Sequence, residues 1–243
     1  MTTTLPQPRR AAPLVTGAAA AVVAVLLTSG SAWAQDARSP IVSASVTLAS
    51  DYVVRGVSQT EQRASVLATV DVTSGAFYAG ALAGNVAFPG DPDTSVEVDL
   101  YAGVRHAIAG IDVDVGVVAY VYDDPDGRDY DFVELKAAVS RAIGPITVGA
   151  VVLHSPDFLG SAEDEATYVE GQVALSAGPR WTVSTAFGTQ VVSSGFDYSN
   201  WNVGSAYALT GALALDVRYH TTDERAFGEI YQGRLVASLR AAF

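Results

Sequence analysis

The chain has 243 residues, 49% of them hydrophobic, no cysteine, and a formal charge of −12. The lack of cysteine excludes disulfides and thiolate metal sites, and the acidity excludes a nucleic-acid partner, which calls for a basic stripe. No stretch beyond residue 34 reaches the ~18 apolar residues of a membrane helix, so any membrane contact must come through strands, whose signal is spread over many short segments.

The elements begin with an export signal. Arg9 and Arg10 precede an apolar run, Ala18 to Leu27, and Ala32-Trp33-Ala34 offers a small-x-small cut before Gln35. This pattern predicts a signal peptide at 1–34, cleaved after Ala34. The run is short for an uncleaved anchor. Ala11-Ala12-Pro13 after the paired arginines fits a twin-arginine signal poorly, which favours the general secretory route. Cleavage removes two arginines and no acid, leaving 35–243 as one domain with a formal charge of −14.

Twelve strands are expected in this domain, beginning near Val42, Ala64, Phe77, Ser95, Ile111, Phe132, Ile146, Thr167, Trp181, Asn200, Leu213 and Ile230. The first sets Val42, Ala44, Val46 and Leu48 against Ser43, Ser45 and Thr47, a period of two that puts an oily and a polar face on one strand. The third, rich in Ala and Gly on both faces, has the least defined register. Gly75, Gly110, Gly144, Gly178 and Gly211 recur every 33 to 35 residues in minimal turns, an internal repeat. Between them lie longer polar segments at 56–63, 89–94, 123–129, 155–165, 193–198 and 221–228. Tight turns alternating with long loops, and an even strand count, are the pattern of an antiparallel up-and-down transmembrane β-barrel with both termini periplasmic.

The last segment alternates Tyr231, Gly233, Leu235, Ala237, Leu239, Ala241 and Phe243 with Gln232, Arg234, Val236, Ser238 and Arg240. A closing strand that stops on an aromatic suits an outer-membrane barrel, and Phe243 is then the handle for the barrel-assembly machinery. Alternation alone would equally fit a soluble barrel turned inside out. The aromatics favour lipid: Tyr52, Trp201, Tyr219 and Tyr231 fall at long-loop ends of the apolar face, and Trp181, Tyr207 and Phe243 at short-turn ends, as in two interfacial girdles.

Ser50-Asp51-Tyr52-Val53-Val54-Arg55-Gly56-Val57-Ser58-Gln59-Thr60 resembles the SDYxxRGxSQT signature of the TorF family of proteobacterial porins. Phe77-Tyr78-Ala79-Gly80, Asn85-Val86 and Val98-Asp99-Leu100-Tyr101-Ala102-Gly103 are similar to later parts of that family, so the resemblance spans the mature chain. It implies an outer-membrane barrel with pore function and names no solute.

On the polar face, Glu97, Asp99, Asp112 and Asp114 form an acidic wall on the fourth and fifth strands, extended by Glu134 and Glu170 and interrupted by Lys136. Arg218, Arg234, Arg240 and Arg55 are assigned to the eleventh, twelfth and first strands, with Asp216 and Asp51 among them. Closure sets these walls opposite each other and creates a field across a narrow pore for small hydrophilic solutes. The alternative is internal pairing that fills the lumen, leaving an occluded structural or adhesive barrel. The lumen tyrosines Tyr101, Tyr120, Tyr122 and Tyr168 are wall packing or stacking surfaces. The acidic outer loops read first as solvated loop charge, with gathering of cations or bridging through divalent ions to lipopolysaccharide as the functional alternatives, and lipid surrounds the barrel. Asp124-Pro125-Asp126-Gly127-Arg128-Asp129 lacks the spacing and the closing Glu of a calcium loop, and no cofactor or resident metal is expected. A lipid-cleaving barrel enzyme would need a serine beside a histidine on an adjacent strand. His154 has Val133 and Thr167 as outward neighbours instead, and no enzyme activity is expected.

Overall fold

The computed structural model describes residues 39–160 and 164–243; the expected signal peptide and its cleavage site lie outside the described residues. β1 (Ile41–Ala49) leads into a small hairpin, β2 (Val53–Val54) and β3 (Val57–Ser58). Then come β4 (Ser65–Ser74), β5 (Phe77–Asn85), β6 (Val96–Ile108), β7 (Ile111–Tyr122), β8 (Phe132–Ile143), β9 (Ile146–Phe158), β10 (Asp164–Ser176), β11 (Trp181–Val192), β12 (Tyr198–Ala208), β13 (Leu213–Thr222) and β14 (Arg234–Ala242). Strand β1 and strands β4 to β14 form a closed antiparallel barrel of twelve, shut by β1 on β14. The β2–β3 pair is a separate two-stranded sheet.

The glycine turns set the strand ends. Ala109 and Gly110 both take positive φ (53° and 79°), the two-residue geometry whose twist matches the flanking strands β6 and β7. Gly75 and Gly144 also sit at positive φ in turns of two residues. At the opposite rim the connections are longer, and two of them shape the site. Residues 50–64 turn inward, and 223–233 carry 3-10 turns at Arg225–Phe227 and Glu229–Tyr231. Of the segment 155–165, expected as a loop, the described residues are mostly strand: β9 runs through Phe158 and β10 opens at Asp164, with a register shift between Asp164 and Ala166.

Alternation decides which face looks outward, and the barrel is apolar outside. Val46, Leu48, Leu100, Val115, Leu135, Val169, Phe187, Val203, Leu215 and Leu235 are all exposed on outward positions. A soluble barrel would not display an apolar belt on every side; facing lipid, it is the expected exterior. On β5, Ala79, Ala81 and Ala83 face out, and Tyr78, Gly80, Leu82 and Gly84 face in, which resolves the register the sequence defines least. Trp201 meets Tyr219 at a tilt at one rim and Trp181 meets Tyr207 edge to face at the other, with centroids 5.5 and 5.2 Å apart.

Two members of the expected girdle belong elsewhere. Tyr52 and Tyr231 are 4% and 2% exposed and lie inside the barrel. The last strand opens at Arg234 rather than near Ile230, because Ile230 and Tyr231 are drawn into an interior cluster against Tyr198 and Phe227. That cluster also holds Val54, Val57, Phe88, Tyr120, Tyr122, Phe132 and Phe158, and so packs around the β2–β3 hairpin.

Candidate functional site

The site is built around residues 51–60, which enter the barrel instead of lying over it. Asp51 fastens the base of this segment. Its Oδ1 accepts from Ser58 Oγ (2.6 Å) and Thr60 Oγ1 (2.8 Å), and its Oδ2 accepts from Arg234 Nη1 (3.1 Å) on the closing strand. One carboxylate thus ties both ends of the hairpin to the wall. At the tip, Arg55 (φ 47°) and Gly56 (φ 83°) make a two-residue turn with both φ positive. Gly56 is packed as tightly as it is bent: a Cβ there would fall 2.8 Å from Asn200 Cβ and 2.9 Å from Thr222 Cγ2. The SDY-RG-SQT pattern is therefore a recipe for this inward turn.

Arg55 is delivered across the lumen. Its side chain is fully buried, with Nη2 donating to both oxygens of Glu134 on β8 (2.8 and 2.6 Å) and Nη1 donating to Gln190 Oε1 on β11 (2.8 Å). The guanidinium lies 4.5 Å from the ring centre of Tyr168 on β10, a cation–π contact. Glu134 also accepts from Tyr120 Oη (2.9 Å), and Tyr168 Oη donates to Glu170 (2.7 Å). Gly188 lies under the Tyr168 ring, where any Cβ would collide with it, so the ring is held flat on the wall. Nearby, Glu97 accepts from Tyr52 Oη (2.8 Å) and Tyr122 Oη (2.5 Å), and Asp99 is fully buried with neither carboxylate oxygen hydrogen-bonded.

A second cluster lies toward the short-turn rim. Asp114 accepts from Tyr78 Oη (2.7 Å), Arg105 Nε (2.9 Å) and Lys136 Nζ (2.9 Å), and Arg105 stacks 4.2 Å over Tyr78. On the far side Arg218 bonds Asn202, Ser184 and Asp216.

The expected wall residues are thus brought inside, but not as two free walls. Glu97, Asp99, Asp114 and Glu134 occupy inward positions on β6, β7 and β8; Asp112 shares that parity, exposed at the rim. Arg218, Arg234 and Arg240 are inward on β13 and β14. Arg55 is the correction: it belongs to the inward hairpin rather than to a wall strand, and it neutralises Glu134 on the acidic side. Arg105 and Lys136 likewise offset Asp114, and Arg234 is matched by Asp51. Alternation on β6 is sufficient to place Arg105 inside, six positions on from Asp99; Gln190 is placed in the same way on β11. His154 faces outward and bonds Thr167 Oγ1 (3.0 Å), with Ser155 buried on the other face.

Outside the strands, loop carboxylates act as caps. Burial alone would raise the Asp91 carboxyl, but Thr94 Oγ1, the Asp93 and Thr94 amides and Tyr130 Oη all donate to it and together hold it below its ordinary value. Asp123 is held low likewise, burial being outweighed by the Val96 and Ser95 amides and the Ser95 hydroxyl. Asp93 is raised, chiefly by a hydrogen bond with Asp126 and by that neighbour's charge. Among the described residues, no group of three or more His, Asp or Glu side chains is arranged to hold a metal ion.

A family model described as bacterial protein of unknown function (Gcw_chp) matches residues 34–242. No curated protein matches the sequence. Among solved structures, the fold resembles the KdgM porin in complex with disordered oligogalacturonate, at 8% identity and a TM-score of 0.60, over 83% of this chain and 99% of that one. It resembles the NanC porin at 10% identity and a TM-score of 0.56, over 82% and 98%. It also resembles an outer membrane channel from Pseudomonas putida F1 at 12% identity and a TM-score of 0.51, over 83% and 94%. The fold is that of outer-membrane porins.

Proposed function

The chain belongs to the Gcw_chp family, and we propose that it is an outer-membrane, porin-like passive channel for small hydrophilic solutes, narrowed by the hairpin at 51–60. The observation that carries this reading is a charged, hydrogen-bonding interior enclosed by a continuous apolar exterior. A polar lumen stabilises water and polar solutes in transit. The likeness to the TorF porins in residues 50–60 and the fold shared with porins support the same reading. In this reading the signal peptide at 1–34 is removed after Ala34, the short turns and both chain ends face the periplasm, and the long acidic loops meet lipopolysaccharide. The strand ending at Phe243 engages the assembly machinery. In this reading Asp112, Asp114, Arg218, Arg234 and Arg240 line the path, and Glu97, Asp99 and Glu134, buried in this conformation, line it where the hairpin carrying Arg55 narrows it.

A second reading, an occluded structural barrel, is favoured by the aromatic cluster packed around the hairpin. Swelling of proteoliposomes in uncharged sugars of increasing size separates the two. A channel gives swelling that falls with solute size, and a permanently filled barrel gives none with any solute.

A further inference from the structure

We propose that Glu134, Gln190 and Tyr168 form a receptor for guanidinium-bearing solutes, filled in this conformation by the protein's own Arg55. The passage of such solutes rests on the channel reading; their binding does not.

The pocket has the parts that recognise a planar cation: a carboxylate taking two N–H bonds from one nitrogen, an amide oxygen for another, and an aromatic face at 4.5 Å. Every part comes from barrel strands, β8, β10 and β11, whereas Arg55 arrives on a separate two-stranded sheet that shares no strand ladder with the barrel. The receptor is therefore built without its occupant. Glu134 keeps the Tyr120 hydroxyl and Tyr168 keeps Glu170 and Asn200 if the hairpin leaves.

Glu134 supplies the pocket's charge. A buried carboxylate stripped of its cationic partner is costly, so the pocket vacated by Arg55 favours another cation over an anion or a neutral sugar. Arg55 then acts as a tethered competitor. A short tether gives it an effective concentration on the order of millimolar, so a free guanidinium must reach that range to displace it.

The test uses the refolded chain in detergent micelles and methylguanidinium as the probe, followed by ligand-observed NMR. Arg55→Ala should bind it saturably, at least tenfold more tightly than the wild-type chain, and Arg55→Ala with Glu134→Gln should lose at least tenfold. Tetramethylammonium and sodium should not compete, since neither offers the paired N–H donors. Heat-modifiable migration on gels confirms that each variant is folded. In case Arg55→Ala does not fold, the cysteine-free background allows a second measurement on a chain that keeps Arg55. Val57→Cys, fully buried on the hairpin, should react with an external thiol reagent several-fold faster in methylguanidinium than in equal tetramethylammonium. No saturable binding to folded Arg55→Ala, equal binding by the Glu134→Gln double variant, or labelling indifferent to methylguanidinium each overturns the proposal. Binding by a barrel that never conducts would leave the receptor standing and remove the channel. A conducting barrel that ignores methylguanidinium would do the reverse.

Discussion

Replacing Gly56 by alanine should dislodge the inward hairpin while leaving the barrel intact. Two separate penalties fall on this residue. Its φ of 83° is left-handed, which costs a non-glycine residue about 1–2 kcal/mol. The new methyl would also meet Asn200 Cβ at 2.8 Å, Thr222 Cγ2 at 2.9 Å and the Thr221 carbonyl at 3.1 Å. These are strand atoms with little room to retreat, so overpacking adds about 1–3 kcal/mol. Gly195 supplies the control: its φ is 85° and a Cβ there meets nothing within 4 Å. Gly195→Ala, in the loop between β11 and β12 rather than on the hairpin, is the baseline for a strained alanine that leaves docking alone, and the packing penalty at Gly56 by itself corresponds to roughly a 5- to 150-fold shift in hairpin docking. Thiol labelling of Val57→Cys in both backgrounds reads that shift directly. If Gly56→Ala labels no faster than Gly195→Ala, the tip is not wedged against β12 and β13 as described, and the account of the inward turn fails.

Glu134→Gln should weaken hairpin docking by about 3–5 kcal/mol, since it leaves a buried guanidinium uncompensated. Arg55→Met combined with Glu134→Leu should cost less than either single change, and a double-mutant cycle on labelling rates checks this. Val115→Arg, at an exposed apolar position midway along β7, should destabilise the barrel in lipid by about 2–4 kcal/mol, measured by urea titration of refolding into vesicles. Asp91 is held below its ordinary value of 3.8 in the folded loop. Its contribution is therefore fully present above that value and is lost as pH falls through the lower folded value. Limited proteolysis of residues 89–94 should accelerate only under acid conditions in the wild-type chain, and at neutral pH as well in Asp91→Asn.

The barrel was legible because its rules are local. A glycine turn ends a strand, and a period of two assigns each residue between turns to a face. Those rules alone put Glu97, Asp99, Arg218 and Arg240 inside and Trp181 and Trp201 outside. They fail where a long-range contact overrides the local pattern. Tyr52 and Tyr231 carry outward parity when the first and last strands are extended past their ends, yet both segments leave the wall and turn in. The direction of residues 51–60 is fixed by partners far away in sequence: Arg55 meets Glu134, 79 positions on, and Asp51 meets Arg234, 183 positions on. The motif announces that something unusual happens at 50–60, but nothing local says on which side of the barrel rim it happens. The pairs that cross between the expected walls were hidden for the same reason, because charges on alternating positions reveal a face and not the partner that crosses the lumen to it.

The most direct test of the channel reading is single-channel conductance in a planar bilayer, comparing the wild-type barrel with one whose residues 51–60 are replaced by a short Gly-Ser linker. Discrete steps in the wild type, growing several-fold in the shortened variant, are the predicted result. A folded, heat-modifiable barrel that conducts in neither form would contradict the account and leave the lumen as a filled core.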